Sequence, residues 1–149
     1  QLANLYNSQP NLFSKIIEAK TIDDLYLIFE NISASEYWDN HFNFGKISPV
    51  ESQKLLSKDF IDLIIINAIL PIKYFYQKNH NPEIVDDIFD FYKHLKSEKN
   101  SILDEWKNLG VKFENALQTQ AFLYQYKTFC TQKKCLNCSI GFQLLKSQD

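Results

Sequence analysis

A chain of 149 residues with 45% hydrophobic and 15% aromatic content has the length for one buried core and is too apolar to be disordered. Its 3 glycines and 4 prolines leave too little turn chemistry for a many-stranded sandwich or barrel. A net charge of −2 supplies no large field to attract nucleic acid or an anionic membrane.

All 16 basic residues are lysine, so the planar guanidinium fork that usually reads phosphate and carboxylate is absent. The abundant Lys, Asn, Ile, Phe and Tyr read as a compositional bias of the source genome. No basic-then-apolar segment opens the sequence and no long apolar run occurs in it, so no signal peptide or membrane span is visible. The chain contains no methionine, even at position 1, which suggests a fragment of a longer protein.

Helical periodicity dominates from the start. Leu2, Leu5 and Tyr6 open a short helix, and Asn11 caps a second one carrying Leu12, Ile16 and Ala19. Thr21 with Asp24 forms a capping-box variant ahead of Ile22, Leu25, Tyr26 and Phe29, the spacing of one buried stripe. Ser33 to Ser52 is the least regular part, and nothing in the chain alternates with period two for long enough to compel a strand. Ser57 caps a long apolar helix with Asp59 in its first turn. Pro71 cannot donate to the carbonyl of Asn67, which predicts a kink or a break.

Asn81-Pro82-Glu83 combines a cap residue, a proline at the first helical position and an acid, a helix-start signal for the stripe Ile84, Ile88, Phe91 and Leu95. Ser101 and Asp104 repeat the capping-box pattern before Ile102, Leu103 and Trp106, and Gly110 stops that helix. A helix from about Phe113 to Phe129 follows, its stripe placed at Phe113, Leu117, Ala121, Tyr124 and Thr128. Ile140 to Leu145 closes with a last turn or two. The expectation is all-α: residues 1–149 as a single compact domain of about seven helices, with an irregular aromatic loop and a cysteine-containing C-terminal corner.

All three cysteines fall within nine residues, as Cys130-x4-Cys135-x2-Cys138. That spacing matches three ligands of a plant-type iron–sulfur site, which needs a fourth cysteine the chain lacks. A zinc site would need a distant histidine, from His41, His80 or His94. Lys133 and Lys134 can favour thiolate at the neighbouring sulfurs, a redox reading. The simpler reading, and the one adopted, is three free thiols packing a tight corner with no cofactor. An odd cysteine count without a secretory signal points to a reducing, cytoplasmic compartment.

Glu36, Trp38, Asp39 and His41 form a second candidate site, able to supply acid, base or metal ligands. The competing reading, which is preferred, has the loop rings anchoring it to the helices while polar groups face water. His80 and His94 fall on exposed faces. Lys127, Lys133 and Lys134 make a local basic patch near Tyr124, Tyr126 and Phe129, a composition found in single-strand nucleic-acid grooves. No nucleophilic triad, phosphate-cradling loop or dinucleotide fingerprint can be read.

Two segments carry a resemblance. Ser35-Glu36-Tyr37-Trp38 with His41 and Phe44-Gly45-Lys46, and then Lys134-Cys135-Leu136-Asn137-Cys138-Ser139-Ile140-Gly141, resemble the C-terminal part of an uncharacterised bacterial family, domain of unknown function 2851. Phe60-Ile61-Asp62 with Ile65-Ile66-Asn67, and Glu98-Lys99-Asn100-Ser101-Ile102, fit the same pattern. The resemblance spans essentially the whole chain, and its most specific part is the tail. It implies longer family members, an N-terminal domain of the same protein as partner, and no assigned activity. That upstream part resembles a strand-rich nuclease-type core, which implies the alternative of an accessory module in a nucleic-acid-processing enzyme. The leading expectation is a helical accessory or interaction domain with a protein partner, no membrane and no catalytic constellation of its own; a metal or redox module at the three cysteines is the second alternative.

Overall fold

The computed structural model describes residues 1–80 and 87–146. The fold is helical, as the periodicity predicts, with one small hairpin among the described residues. The chain divides into two compact units, Gln1–Phe91 and Tyr92–Asp149.

In the first unit come α1 (Leu2–Ser8), α2 (Leu12–Glu18) and α3 (Ile22–Ile28). Thr21 caps α3 as predicted: its side chain accepts from the Asp24 amide at 3.2 Å, and Asp24 accepts in return from the amides of Thr21 and Lys20, each at 2.9 Å. These donors hold the Asp24 carboxyl below its ordinary value. The predicted stripe is buried at Leu25 and Phe29, joined by Ile28.

The segment that lacked periodicity is more ordered than it reads. Glu36–Asp39 forms a 3-10 turn, and β1 (His41–Asn43) pairs antiparallel with β2 (Lys46–Ile47). The turn between them is Phe44-Gly45, and Gly45 takes a φ of +68°, a left-handed value that glycine adopts without a Cβ clash. A bridge between Ser33 and Leu55, with the Ala34 amide donating to Lys54 O at 2.9 Å, pins the ends of this segment together. A hairpin this short escapes a period-two search because it contains too few residues to alternate.

Ser57 caps α4 (Lys58–Ile64), accepting from the Phe60 amide at 3.3 Å. The helix then passes through a π turn at Ile65–Ile69 into α5 (Leu70–His80). Of the kink or break expected at Pro71, the break does not occur. A widened turn just ahead of the proline relieves the crowding its ring would cause in a regular α-helix and lets the helix run on. Ile61, Ile65, Ile66, Ile69 and Leu70 are buried along this stretch, as are Ile88 and Phe91 of α6 (Asp87–His94). The start signal at Asn81-Pro82-Glu83, with Ile84, lies outside the described residues.

Lys73 is 2% exposed and sits in this core. Its Nζ donates to the carbonyl of Ile16 at 3.2 Å and to that of Ile17, and lies 5.6 Å from the Phe91 ring centroid. The ammonium thus caps the C-terminal carbonyls of α2, where positive charge is favoured. Burial lowers its pKa, partly opposed by Asp24.

In the second unit, α7 (Ser101–Asn108) is capped by Asn100 rather than Ser101, with Asn100 Oδ1 accepting from the Leu103 amide at 3.0 Å. Asparagine ranks with the best N-caps, and Asn100 holds the extended backbone a cap requires, which moves the start by one residue. Gly110, at φ +90°, ends α7 as predicted: its amide reaches Lys107 O at 2.9 Å and the Val111 amide reaches Trp106 O at 3.1 Å, the paired bonds of a Schellman turn.

The following helix, α8 (Ala116–Gln125), starts three residues later than predicted and is turned by about one residue. Asn115 caps it, leaving Phe113 outside; Ala116, Thr119 and Leu123 are buried, while Ala121 and Tyr124 of the expected stripe are exposed. Phe113 instead packs its ring on Phe122 at 5.0 Å, and Trp106 packs on the same ring at 5.2 Å, both edge-on. Glu98, buried, receives hydrogen bonds from Thr119 and Gln120. A π turn (Tyr126–Cys130) and a 3-10 turn (Cys135–Asn137) lead into α9 (Ser139–Lys146).

Candidate functional site

An apolar groove of about 510 Å³ lies in the first unit beside α3 and the stretch from Leu55 to Ile61. Its floor is Phe29, Ile32, Leu56 and Ile61, and its walls include Leu27 and Leu55, which stay 62% and 51% exposed. The local sequence explains the shape. The buried stripe of α3 points inward, which leaves Leu27 on the outer shoulder of the same helix. The Ser33–Leu55 bridge turns Leu55 out beside it while Leu56 goes in.

Charge is confined to the rim at Asp23, Glu30 and Lys58. Tyr26 crosses the groove wall and donates to Asp62 Oδ1 at 2.6 Å, and Lys58 Nζ stands 4.6 Å from the Tyr26 ring. Burial and the Asp62 carboxylate push the Tyr26 hydroxyl well above its ordinary pKa, so it remains a donor at any working pH. Sequence reading missed this groove. Its only trace is Asp62, a carboxylate inside the most apolar stretch of the chain.

At the predicted loop site the rings form an aromatic knot that joins Trp38 and His41 through Tyr37 and includes neither Glu36 nor Asp39. Tyr37 stacks on His41 (4.0 Å, 14°), and Trp38 sets its edge against both Tyr37 (5.1 Å) and Phe44 (4.9 Å). The rings pack on one another, and Phe44 is 83% exposed. His41 Nδ1 lies 2.7 Å from Tyr37 O; a carbonyl only accepts, so in the neutral ring the proton sits on Nδ1 and Nε2 keeps its lone pair. Asp39 Oδ1 is buried without a hydrogen-bond partner, and Glu36 is exposed. The Tyr–His arrangement recurs in α5, where Tyr76 stacks on His80 at 4.2 Å and His80 Nδ1 lies 2.8 Å from Tyr76 O.

At the C-terminal corner, Cys130, Cys135 and Cys138 line one cavity of about 140 Å³ with Trp106, Phe129, Ile140 and Leu144. Cys130 and Cys135 are exposed and Cys138 is buried. Partial burial and the neighbouring Cys138 and Cys135 sulfurs push the Cys130 thiol up, the opposite of the thiolate-favouring effect expected from Lys133 and Lys134. Lys127, Lys133 and Lys134 are all exposed on this corner. Among the described residues no three His, Cys, Asp or Glu side chains are grouped to hold a metal ion, and no helix is long and apolar enough to cross a membrane.

A family model described as a protein of unknown function (DUF2851) matches residues 1–101. The chain belongs to that family. The DUF2851 match takes in the whole first unit, with the groove and the aromatic knot, and runs to the first residue of α7. It stops before the cysteine corner, which carries the most specific part of the resemblance. No curated protein and no solved structure matches the chain.

Proposed function

We propose that this chain is a helical interaction domain of a cytoplasmic bacterial protein, and that its groove receives an amphipathic, basic helix from a partner protein. The observation that carries the reading is the groove itself: a concave apolar floor with Leu27 and Leu55 left exposed on its walls, a pattern that marks binding surfaces. The rim selects the partner. Asp23 and Glu30 are seven residues apart on one side of α3 and its terminal turn, a spacing of roughly 10 Å at the helical rise. A docked helix with leucines facing the floor and lysines two turns apart satisfies both carboxylates. Lys58, held over Tyr26, leaves the rim acidic overall.

The test is titration of the isotope-labelled chain with a synthetic helical peptide that carries leucine on one face and lysines two turns apart. Amide shifts are expected to concentrate at residues 26–32 and 55–61, and Leu27→Asp with Leu55→Asp is expected to abolish them. A peptide with glutamates in place of the lysines should bind more weakly. Saturating shifts elsewhere, or none from either peptide, would refute the assignment.

A further inference from the structure

We infer that Cys135 and Cys138 form a dithiol that exchanges with small anionic disulfides, Cys135 as the entering thiol and Cys138 as the resolving one. This site is independent of the groove and lies beyond the stretch the family model matches.

Three observations converge on it. First, the Cys138 amide donates to Cys135 O at 3.2 Å, closing a 3-10 turn over Cys135–Asn137. Such an i to i+3 turn keeps the two Cα atoms within about 7 Å, and a disulfide spans Cα separations of about 4.4–6.8 Å. Second, the two thiols differ in the way an exchanging pair requires. Cys135 is exposed, while Cys138 is buried and its Sγ receives hydrogen bonds from Gln125 Nε2 at 2.6 Å and the Gly141 amide at 3.4 Å. Gly141 is the third residue of α9, so the Cys138 sulfur occupies the place of a helix-capping acceptor.

Third, Gly141 leaves the space. A Cβ there would stand 2.6 Å from Cys135 O and 3.1 Å from Cys135 Cβ, so the missing side chain is what lets Cys135 and Cys138 border the same cavity. Lys133 and Lys134, exposed and adjacent in sequence, supply the positive charge that draws an anionic disulfide. Cys130 shares the cavity, but its raised thiol pKa makes it the poorer nucleophile.

The chemistry balances without a metal. The Cys135 thiolate attacks one sulfur of the substrate disulfide, forming a mixed disulfide and releasing one substrate thiolate. The Cys138 thiolate then attacks the Cys135 sulfur, the Cys135–Cys138 bond forms, and the second substrate thiolate leaves. The pair is oxidised by two electrons, and the substrate becomes two thiols on taking up the two protons that the cysteines gave up. In a reducing compartment such pairs cycle rather than persist.

The experiment uses the full chain, reduced, then exposed to oxidised glutathione, quenched by alkylation and mapped by mass spectrometry. Cys130→Ser is expected to lose two hydrogens and to show a Cys135–Cys138 link. The double variant Cys130→Ser/Cys138→Ser is expected to hold glutathione stoichiometrically on Cys135, since no resolving thiol remains. Because Cys138→Ser alters a buried position, alkylation rates in the unaltered reduced chain provide a second reading, with Cys135 expected to react severalfold faster than Cys130. Absence of the link in Cys130→Ser, a link that always includes Cys130, or equal reactivity of Cys130 and Cys135 would overturn the inference.

Discussion

Replacing Gly141 with alanine tests the closest backbone approach in the cysteine corner. The new Cβ would meet Cys135 O at 2.6 Å, Cys135 Cα at 3.0 Å and Cys135 Cβ at 3.1 Å. Carbon atoms prefer separations of about 3.5–4.0 Å, and two of these three atoms are main chain, so no side-chain rotation removes the overlap. Either α9 or the Cys135–Asn137 turn must shift, a class of overpacking that costs about 1–3 kcal/mol. An opposing effect makes the sign informative. Gly141 is helical with ordinary φ, and alanine in an open helical position gains about 1 kcal/mol over glycine. A clash at 2.6 Å with main chain falls in the upper part of that range, about 2–3 kcal/mol, so the expected net result is a loss of about 1–2 kcal/mol at the midpoint of the second unit's unfolding, equivalent to several degrees in Tm for a segment of this size. The measurement is urea and thermal denaturation followed by circular dichroism, with the unaltered chain as reference. An unchanged or raised midpoint would mean that Gly141 faces open space and that the corner is not built as described.

Gly110→Ala should also destabilise, for a different reason: nothing crowds its Cβ direction, but a φ of +90° costs an L-residue about 1–2 kcal/mol, so loss without any change at the thiols is expected in denaturation and alkylation assays. Asn100→Ala should cost about 1 kcal/mol of stability through the lost cap on α7, whereas Ser101→Ala, the position the sequence favours, should be near neutral. Tyr26→Phe leaves Asp62 Oδ1 without its donor in a buried setting and should cost about 1–3 kcal/mol, with the double variant Tyr26→Phe/Asp62→Leu losing less than the single one. Lys73 has a lowered native pKa, so between that value and 10.5 the unfolded chain holds the extra proton and stability rises with pH. Above about 10 the trend reverses, because Tyr26 and Tyr92, the latter pushed up to about 12 by burial and Glu98, stay protonated when folded. Lys73→Met should flatten the rising limb in denaturation series across alkaline pH and leave the falling one.

What could be read in advance was local. The Thr21–Asp24 box, the Ser57 cap and the Gly110 stop each depend on residues within four positions, and each stands where the pattern put it. The misses are tertiary. Thr119 breaks the phase of the expected α8 stripe because a hydroxyl reads as surface, yet it is fully buried against Glu98, with its Oγ1 bonded to Ala116 O at 3.0 Å. Pro71 signals a break only if the preceding turn is α-helical, and a π turn changes that premise. The groove needs Leu27 and Leu55, 28 positions apart, to stand side by side, which no window of periodicity contains. The three cysteines were conspicuous from the start, but the residue that arranges them is Gly141, whose importance lies in an approach between atoms six positions apart.

The Lys73 ammonium has a consequence for how the first unit comes apart. Helix α2 is seven residues long and buries none of them, too short to persist alone in water. Its order depends on a cation tethered from α5, 56 and 57 positions away in the chain. Peeling α2 off exposes two carbonyls that water can satisfy at once, but it also strands a charge in an apolar interior until the ring of Phe91 and its neighbours admit solvent. Fraying at this end is therefore coupled to wetting of the core, and amide protons of α2 should exchange with the slow protons of α5 rather than with those of the surface turns around them.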